Sequence, residues 1–407
     1  MAQGVAVIGN SGPKVRSDIE VNLEITRSGG IVINLKSKVK SMYGHAIEKQ
    51  CLDILSFYGI KNAILNIDDS GALPFVISAR MEAAIRAITG DKKELLPMML
   101  PENMYVSEAH RFRFSRLYLP GNNPGMFINA GLHNPDGVIL DLEDSVAPPK
   151  KDEARILVRN ALRAVDFYGA ERMVRINQGE RGFDDLDCVI PQNVHLILVP
   201  KCETAKSLKA VDDHIEKLRV KHQIKSPVFL MPIIESTLGV ENAFEIAKAS
   251  PNVVALAIGL EDYTADLGVP RTREGNESVY ARNRLVVAAK AAGIQPIDSV
   301  FSDVGDMEGL LNNVTSSKAM GFEGMGCIHP RQVPVIKQGF APSPDEIEKA
   351  KKIVLAFRKA TEEGLGVVSL GTKMIDPPVV ARADKTILLA VKLGLIPEDW
   401  SEEKITE

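Results

Sequence analysis

Cysteine is scarce in this sequence, and its four examples, Cys51, Cys188, Cys202 and Cys327, lie far apart with no metal-type spacing. That excludes a disulfide framework and a cysteine-based metal site, and it points to reduced thiols in a cytoplasmic protein. Long apolar runs are missing as well: no stretch reaches the roughly 20 residues that a membrane helix needs. The opening "MAQGVAVIGNSG" lacks the basic flank and long apolar region of a signal peptide. Nor does either sign of charge dominate. With 49 basic and 53 acidic residues mixed throughout, the net charge is −4, which gives no electrostatic case for a nucleic-acid or membrane partner. Low-complexity segments are absent too. Small-molecule chemistry is the expectation that remains.

What is present is enough apolar residue, 45% of 407, to bury large cores in two or three folding units. We expect a small α+β domain over 1–90, a linker over 91–112 where glycine, charge and prolines interrupt the periodicity, a barrel over 113–340, and a helical extension over 341–407 at a subunit interface. In the first unit, alternation in "SDIEVNLEI" and "IVINLKSKV" predicts a hairpin turning at Ser28, Gly29 and Gly30. "YGHAIEKQCLDILSFYG" predicts an amphipathic helix stopped by Gly59, "NAILNIDD" a third strand, "ALPFVISA" a fourth, and "RMEAAIRAI" a last helix. This unit has no His/Cys cluster and no glycine-rich phosphate loop.

The second unit repeats strand and helix. Eight apolar runs, "SRLYLP", "GVILDL", "RMVRIN", "HLILVP", "PVFLMPII", "VVALAIG", "IQPIDSV" and "MGFEGMG", mostly alternate with helical patterns. Alternation of this kind implies a parallel sheet, and eight units suit a (β/α)8 barrel of the α/β class.

In such a barrel the carboxyl ends of the strands converge on one mouth. Asp141, Glu143 and Asp144 follow the second run, Arg175 the third, Lys201 the fourth, Glu235 the fifth, and Glu261, Asp262 and Asp266 the sixth. Capping of the next helix is the competing explanation for Asp144 and Asp266. Acids from three strands are suited to a hard divalent cation such as Mg²⁺, with water and substrate oxygens completing the shell. Histidine is not prominent there, which argues against zinc. Arg175 could grip a carboxylate through a bidentate fork, so a small keto or hydroxy acid is the expected ligand.

The motifs "RLYLPGNNPGM", "GVILDLEDSVAPPKKDEAR", "VRINQ", "LVPK", "IESTLGVENAFEIA", "GLEDYTADLG" and "GFEGMGCIHPRQV" follow in order and spacing. In these the chain resembles the β subunit of citrate lyase and its relatives in the HpcH/HpaI aldolase superfamily, over about residues 113–395. The "DDSGAL" turn and "ARMEAAIRA" helix resemble the acyl carrier (γ) subunit of citrate lyase. The resemblance implies cleavage of a citryl- or citramalyl-type 3-hydroxy-acyl thioester into an acetyl thioester and oxaloacetate or pyruvate. It implies Glu235 and Asp262 as ligands of Mg²⁺, and Arg175, Glu235 and Asp144 around the substrate. It also implies Arg175, Glu235 and Asp376 as catalytic, with Asp376 reaching a neighbouring subunit of a trimer-based assembly; the Pro pair after Asp376 equally fits a helix cap.

Two departures stand out. Where the carrier family reads Ser-Ser-Asp, with a CoA-derived phosphopantetheine arm on the first serine, this chain reads Arg16, Ser17, Asp18, leaving Ser17 as the nearest attachment point. Where relatives often read Gly-Lys-x-x-Ile-His/Asn-Pro, it reads Gly324, Met325, Gly326, Cys327, and His329 there is expected to shape a turn. The alternatives are a lyase for free acyl-CoA with a degenerate carrier domain, or an assembly subunit that works with a separate acyltransferase (α) subunit.

Overall fold

The computed structural model describes residues 4–401 except 363, 365, 371 and 372. Its first unit runs β1 (Gly4–Ile8), β2 (Ile19–Ile25), β3 (Ile31–Ser37), α1 (Lys40–Phe57), β4 (Ala63–Asp69) and α2 (Pro74–Thr89). The expected hairpin is not formed. The sheet order is β1-β2-β4-β3, so β4 lies between the two strands, antiparallel to β2 and parallel to β3. The Ser28–Gly30 turn therefore leads into a wider connection, and β4 takes an inner position, where both of its edges are bonded.

A second expectation is also corrected. "ALPFVISA" is not a strand but the start of α2, which opens with Pro74 at its first position and closes on Gly90 in the left-handed region, φ 69°. Ten consecutive-to-near residues of α2, from Phe75 to Ile85, are buried, because the helix packs on β1, β2 and α1 and also against the helix Lys151–Ala164 of the second unit. A helix apolar on several faces loses the periodicity that would distinguish it from a buried strand. By contrast, α1 stops where expected, with Gly59 at φ 70° just past its end.

All eight expected barrel strands form: β5 (Ser115–Pro120), β6 (Gly137–Asp141), β7 (Glu171–Arg175), β8 (Leu196–Val199), β9 (Phe229–Ile234), β10 (Ala255–Ile258), β11 (Gln295–Ile297) and β12 (Met325–Cys327). They pair in parallel from β5 to β11, β12 joins β5, and a bridge between Asp298 and Met325 closes the ring. Ile139, Met173, Leu198, Met231, Ala257 and Ile297 form its buried lower interior. The C-terminal helices, including Pro344–Glu362 and Pro377–Lys392, share a separate small core of Ile347, Val354, Ile387 and Trp400. No helix among the described residues is long and apolar enough to cross a membrane. The four cysteines are buried and free, and burial pushes each thiol up to about 12.

The two units are joined by buried charge. Arg80 of α2, fully buried, donates to Asp18 Oδ1 at 3.0 Å and Oδ2 at 2.9 Å, and also to Asn122 Oδ1 at 2.7 Å and Glu153 Oε1 at 3.1 Å in the barrel unit. Arg159 donates across the same junction to both oxygens of Glu82, at 2.7 and 2.8 Å. The segment 91–112 holds only the short turn Pro101–Asn103, yet Asn103 is buried and donates to the carbonyls of Leu162 and Val165.

Candidate active site

The carboxyl ends of β6, β7, β9 and β10 open on one cavity of about 360 Å³, lined among others by Asp141, Asp144, Arg175, Glu235 and Asp262. Parallel strands all point their ends the same way, which is why Asp141 and Asp262, far apart in sequence, line the same cavity.

Arg175 ends β7 with its guanidinium 5.4 Å from the Tyr118 ring centroid. Its Nε donates to Asp141 Oδ1 at 2.6 Å and its Nη2 to Oδ2 at 2.7 Å. The fork expected to grip a ligand is thus already closed on Asp141. What remains is Nη1, 3.5 Å from Asp144 Oδ2 and 3.0 Å from Glu143 Oε2, the latter out of line, since that oxygen accepts no hydrogen bond. Burial works against the Asp141 carboxylate, but the Arg175 fork outweighs it and holds its pKa below the usual value. Burial pushes the Glu143 carboxyl up, partly offset by the Arg175 charge.

Glu235 follows β9 and is buried. Its Oε1 accepts the backbone N–H of Lys201 at 2.6 Å, from a residue held in the left-handed region at φ 47°. Burial pushes the Glu235 carboxyl up to about 8; the Lys201 N–H opposes this, and the charges of Asp262 and Glu143 add to it. Room for the carboxylate comes from Gly259, where a Cβ would stand 2.4 Å from Glu235 Oε2. Asp262 lies in the first turn of the helix Leu260–Leu267, half-buried, and makes no hydrogen bond or ion pair among the described residues.

The other acids divide. Asp266 is engaged structurally, accepting from Thr237 N and Oγ1, both at 2.7 Å. Glu261 pairs with Arg271 at 2.6 Å. Asp144 caps no helix and stays at the rim, its side chain half exposed, with Lys201 Nζ 3.8 Å away. His329 Nδ1 accepts the backbone N–H of Arg331 at 3.1 Å, shaping a turn outside the cavity. Asp376 is the N-cap of Pro377–Lys392, accepting from Val379 N at 3.2 Å, and does not line the cavity of its own chain.

Do these residues suit a divalent cation? Glu235 and Asp262 share one cavity; burial pushes Glu235 towards its protonated form and the Asp262 charge adds to this, while neither carboxylate forms an ion pair among the described residues, the side-chain charges of Arg175 and Lys201 acting on them only at longer range. No group of three or more His, Cys, Asp or Glu among the described residues could hold an ion alone. That donor set fits Mg²⁺, which takes one or two carboxylates and keeps oxygens of water or substrate.

Ser17 sits in a turn before β2, half-buried at φ 55°, its backbone N–H donated to Ser70 O at 3.0 Å. Its neighbours Arg16 and Asp18, with Lys14, Asn122 and Asn123, line a second cavity of about 630 Å³. Pro120, Met126 and Ser145 form walls of both cavities, so the N-terminal unit borders the approach to the barrel mouth.

Residues 115–330, over half of the chain, match the family model described as HpcH/HpaI aldolase/citrate lyase. The chain belongs to that family. Residues 9–88 match an acyl carrier protein family described as malonate decarboxylase delta subunit (MdcD). A citrate lyase subunit beta of Leuconostoc mesenteroides subsp. cremoris is 38% identical over 285 residues, 69% of this chain and 94% of that protein. A human mitochondrial citramalyl-CoA lyase is 32% identical over 316 residues, 74% of this chain and 93% of that protein. Among solved structures, the Mycobacterium tuberculosis protein CitE in complex with magnesium, acetoacetate and coenzyme A is 28% identical, with a TM-score of 0.58 covering 70% of this chain and 99% of that one. The family is one of lyases, and the barrel is its fold.

Sequence reasoning missed three contributors: the Lys201 N–H, Gly259, and Arg116 with Tyr118 on the inner face of β5. Glycine in "IGLED" was the only available signal, because a backbone donor and the inward face of a strand leave no motif.

Proposed function

We propose that this chain is a divalent-cation-dependent carbon–carbon lyase that cleaves a citryl- or citramalyl-type 3-hydroxy-acyl thioester into an acetyl thioester and a 2-keto acid. The observation that carries this reading is the Glu235–Asp262 pair, two carboxylates in one cavity beside Arg175, neither of them in an ion pair among the described residues. The names of its relatives, citrate lyase subunit beta and citramalyl-CoA lyase, support the same chemistry.

Glu235 and Asp262 would hold Mg²⁺, which when bound supplies Lewis-acid stabilisation of negative charge on the substrate's oxygens. The remaining roles belong to the chain itself. The Lys201 N–H aims Glu235, and the Asp141 clamp fixes Arg175 so that Nη1 meets the substrate without reorganising. In the reaction the hydroxyl proton leaves, the C–C bond breaks, the keto C=O forms, and the electron pair passes to the thioester α-carbon, which takes up a proton. The whole is redox neutral. We assign the proton-transfer role to Asp376 of a neighbouring copy, since Asp376 does not line its own cavity.

Two forms of substrate remain distinct: a free CoA thioester, and one carried on a phosphopantetheine arm at Ser17. Arg16 and Lys14 make no ion pair among the described residues and border the approach, which favours a free, phosphate-bearing thioester. Intact mass of protein from its native host should show no added arm. An arm on every molecule, lost on Ser17→Ala, would reverse that choice.

The direct test is Glu235→Gln and Asp262→Asn. Each is expected to lower cleavage of citryl-CoA and citramalyl-CoA by about 10³-fold or more, with the unfolding transition retained, because these strand-end acids serve the site and not the core. Full turnover by either variant in chelator would overturn the reading.

A further inference from the structure

The cavity that holds the carboxylates at its mouth descends along β5 to Arg116, a residue no reading of the motifs assigns. Arg116 lies on the inner face of the barrel with Tyr118, is 1% exposed, and lines the cavity floor. The one hydrogen bond of its guanidinium among the described residues is Nη1 donated to the thioether Sδ of Met231 at 2.9 Å, a weak acceptor. Its Nε has no partner at all. The nearby buried acid, Glu171, is already engaged by Arg113, with bonds of 2.7 and 2.8 Å. Asp298 at the same cavity is bonded to Arg282 and to Ser317 Oγ. A guanidinium stays charged in proteins, so this is a buried cation without an anion, an arrangement that costs several kcal/mol unless something offsets it.

Gly326 of β12 is the registered neighbour of Arg116 and lines the same cavity. A Cβ on Gly326 would stand 2.7 Å from Val300 Cγ1 and 3.0 Å from Tyr118 Cε2, so no side chain fits at that position, and the strand beside Arg116 contributes only backbone to the cavity wall.

We propose that Arg116 is a specificity-determining residue that binds a second carboxylate, at the far end of the acid half of the substrate, so that the site prefers a dicarboxylic 2-keto acid over a monocarboxylic one. This rests on the lyase reading and narrows it to the citryl-type branch. A methyl group in that position leaves the guanidinium unpaired, whereas a carboxylate satisfies its N–H groups. Sites built to bond a polar substituent reject analogues lacking it far more strongly than apolar pockets reject an extra methylene.

The test is calorimetric binding of oxaloacetate, 2-oxoglutarate and pyruvate to the Mg²⁺-loaded full chain, wild type and Arg116→Met, with cleavage of citryl-CoA and citramalyl-CoA measured alongside. Wild type should bind oxaloacetate at least about 100-fold more tightly than pyruvate, with 2-oxoglutarate, one methylene longer, as the control for length. Arg116→Met should cut that ratio to below about 3-fold while leaving pyruvate affinity within about 3-fold. Removing an uncompensated buried charge for an apolar side chain of similar length should also raise Tm, so this variant folds. Arg116→Lys keeps the charge without the fork and should retain part of the preference. Equal affinities in wild type, or a preference that survives in Arg116→Met, overturns the proposal even if both thioesters are cleaved. An Arg116-dependent preference in a protein that cleaves neither thioester supports the anion site and overturns the lyase reading instead.

Discussion

Glu235 carries the most distinctive electrostatics of any site residue. Burial and its acidic neighbours raise its pKa from 4.5 to about 8, so between those values the folded chain holds a proton that the unfolded chain has released. The sign follows: this stabilising contribution is full below about 4.5 and is gone once pH has risen through about 8. Mg²⁺ must displace the same proton, so its apparent affinity should rise nearly tenfold per pH unit below that value. We therefore expect the Mg²⁺-induced rise in Tm, measured by scanning fluorimetry, to be clearly larger at pH 8.5 than at pH 6.5. The difference should vanish in Glu235→Gln. An equal shift at both pH values in wild type would remove Glu235 from the ion.

At the level of elements, the site depends on where strands stop and helices start. Gly259 joins β10 to the helix Leu260–Leu267, with φ −110° and ψ 98°, a backbone any residue adopts. Its requirement is steric: Gly259→Ala places a methyl 2.4 Å from the Glu235 carboxylate. Activity should fall by about 10–100-fold, with Mg²⁺ affinity falling alongside it, since the ligand must move. Unchanged kinetics would mean that Glu235 has another productive position. The junction of α2 with the barrel unit makes a second expectation. Arg80→Ala leaves Asp18 buried without its cation and Glu153 with only Lys150, and should lower the unfolding free energy by about 3–5 kcal/mol, measured by urea denaturation. A loss under about 1 kcal/mol would show the two units to be independent.

For the whole molecule, the question is whether one chain suffices. Asp376 caps a helix packed in the C-terminal core and lines no part of its own cavity. If it serves a second copy, Asp376→Asn and Glu235→Gln proteins, each inactive alone, should recover activity when refolded together, up to about a quarter of wild type for random pairing. No recovery in mixed assemblies, with Asp376→Asn alone fully active, would leave Asp376 as a cap only. The fixed N-terminal unit also belongs to this scale. Buried ion pairs at Arg80 and Arg159 hold it against the barrel, so it acts as a wall of the approach to the mouth.

Much of this was legible in the sequence. All eight barrel strands could be read because each is an apolar run bounded by turns, and local chemistry alone specifies that pattern. The acids at their ends were legible for the same reason, since a parallel barrel sends every strand end to one face. What failed was whatever depended on partners distant in the chain. β4 inserted between β2 and β3, and "ALPFVISA" became helix because α2 is covered on several sides, by its own sheet and by the barrel's Lys151–Ala164 helix. The closing of Arg175 on Asp141, the Lys201 N–H on Glu235, and the unpaired guanidinium of Arg116 are equally tertiary. Residue type and spacing determined which groups could reach the mouth. Only packing decided which were already engaged and which remained free, because pairing energy depends on distance and desolvation, and neither exists until the chain has folded.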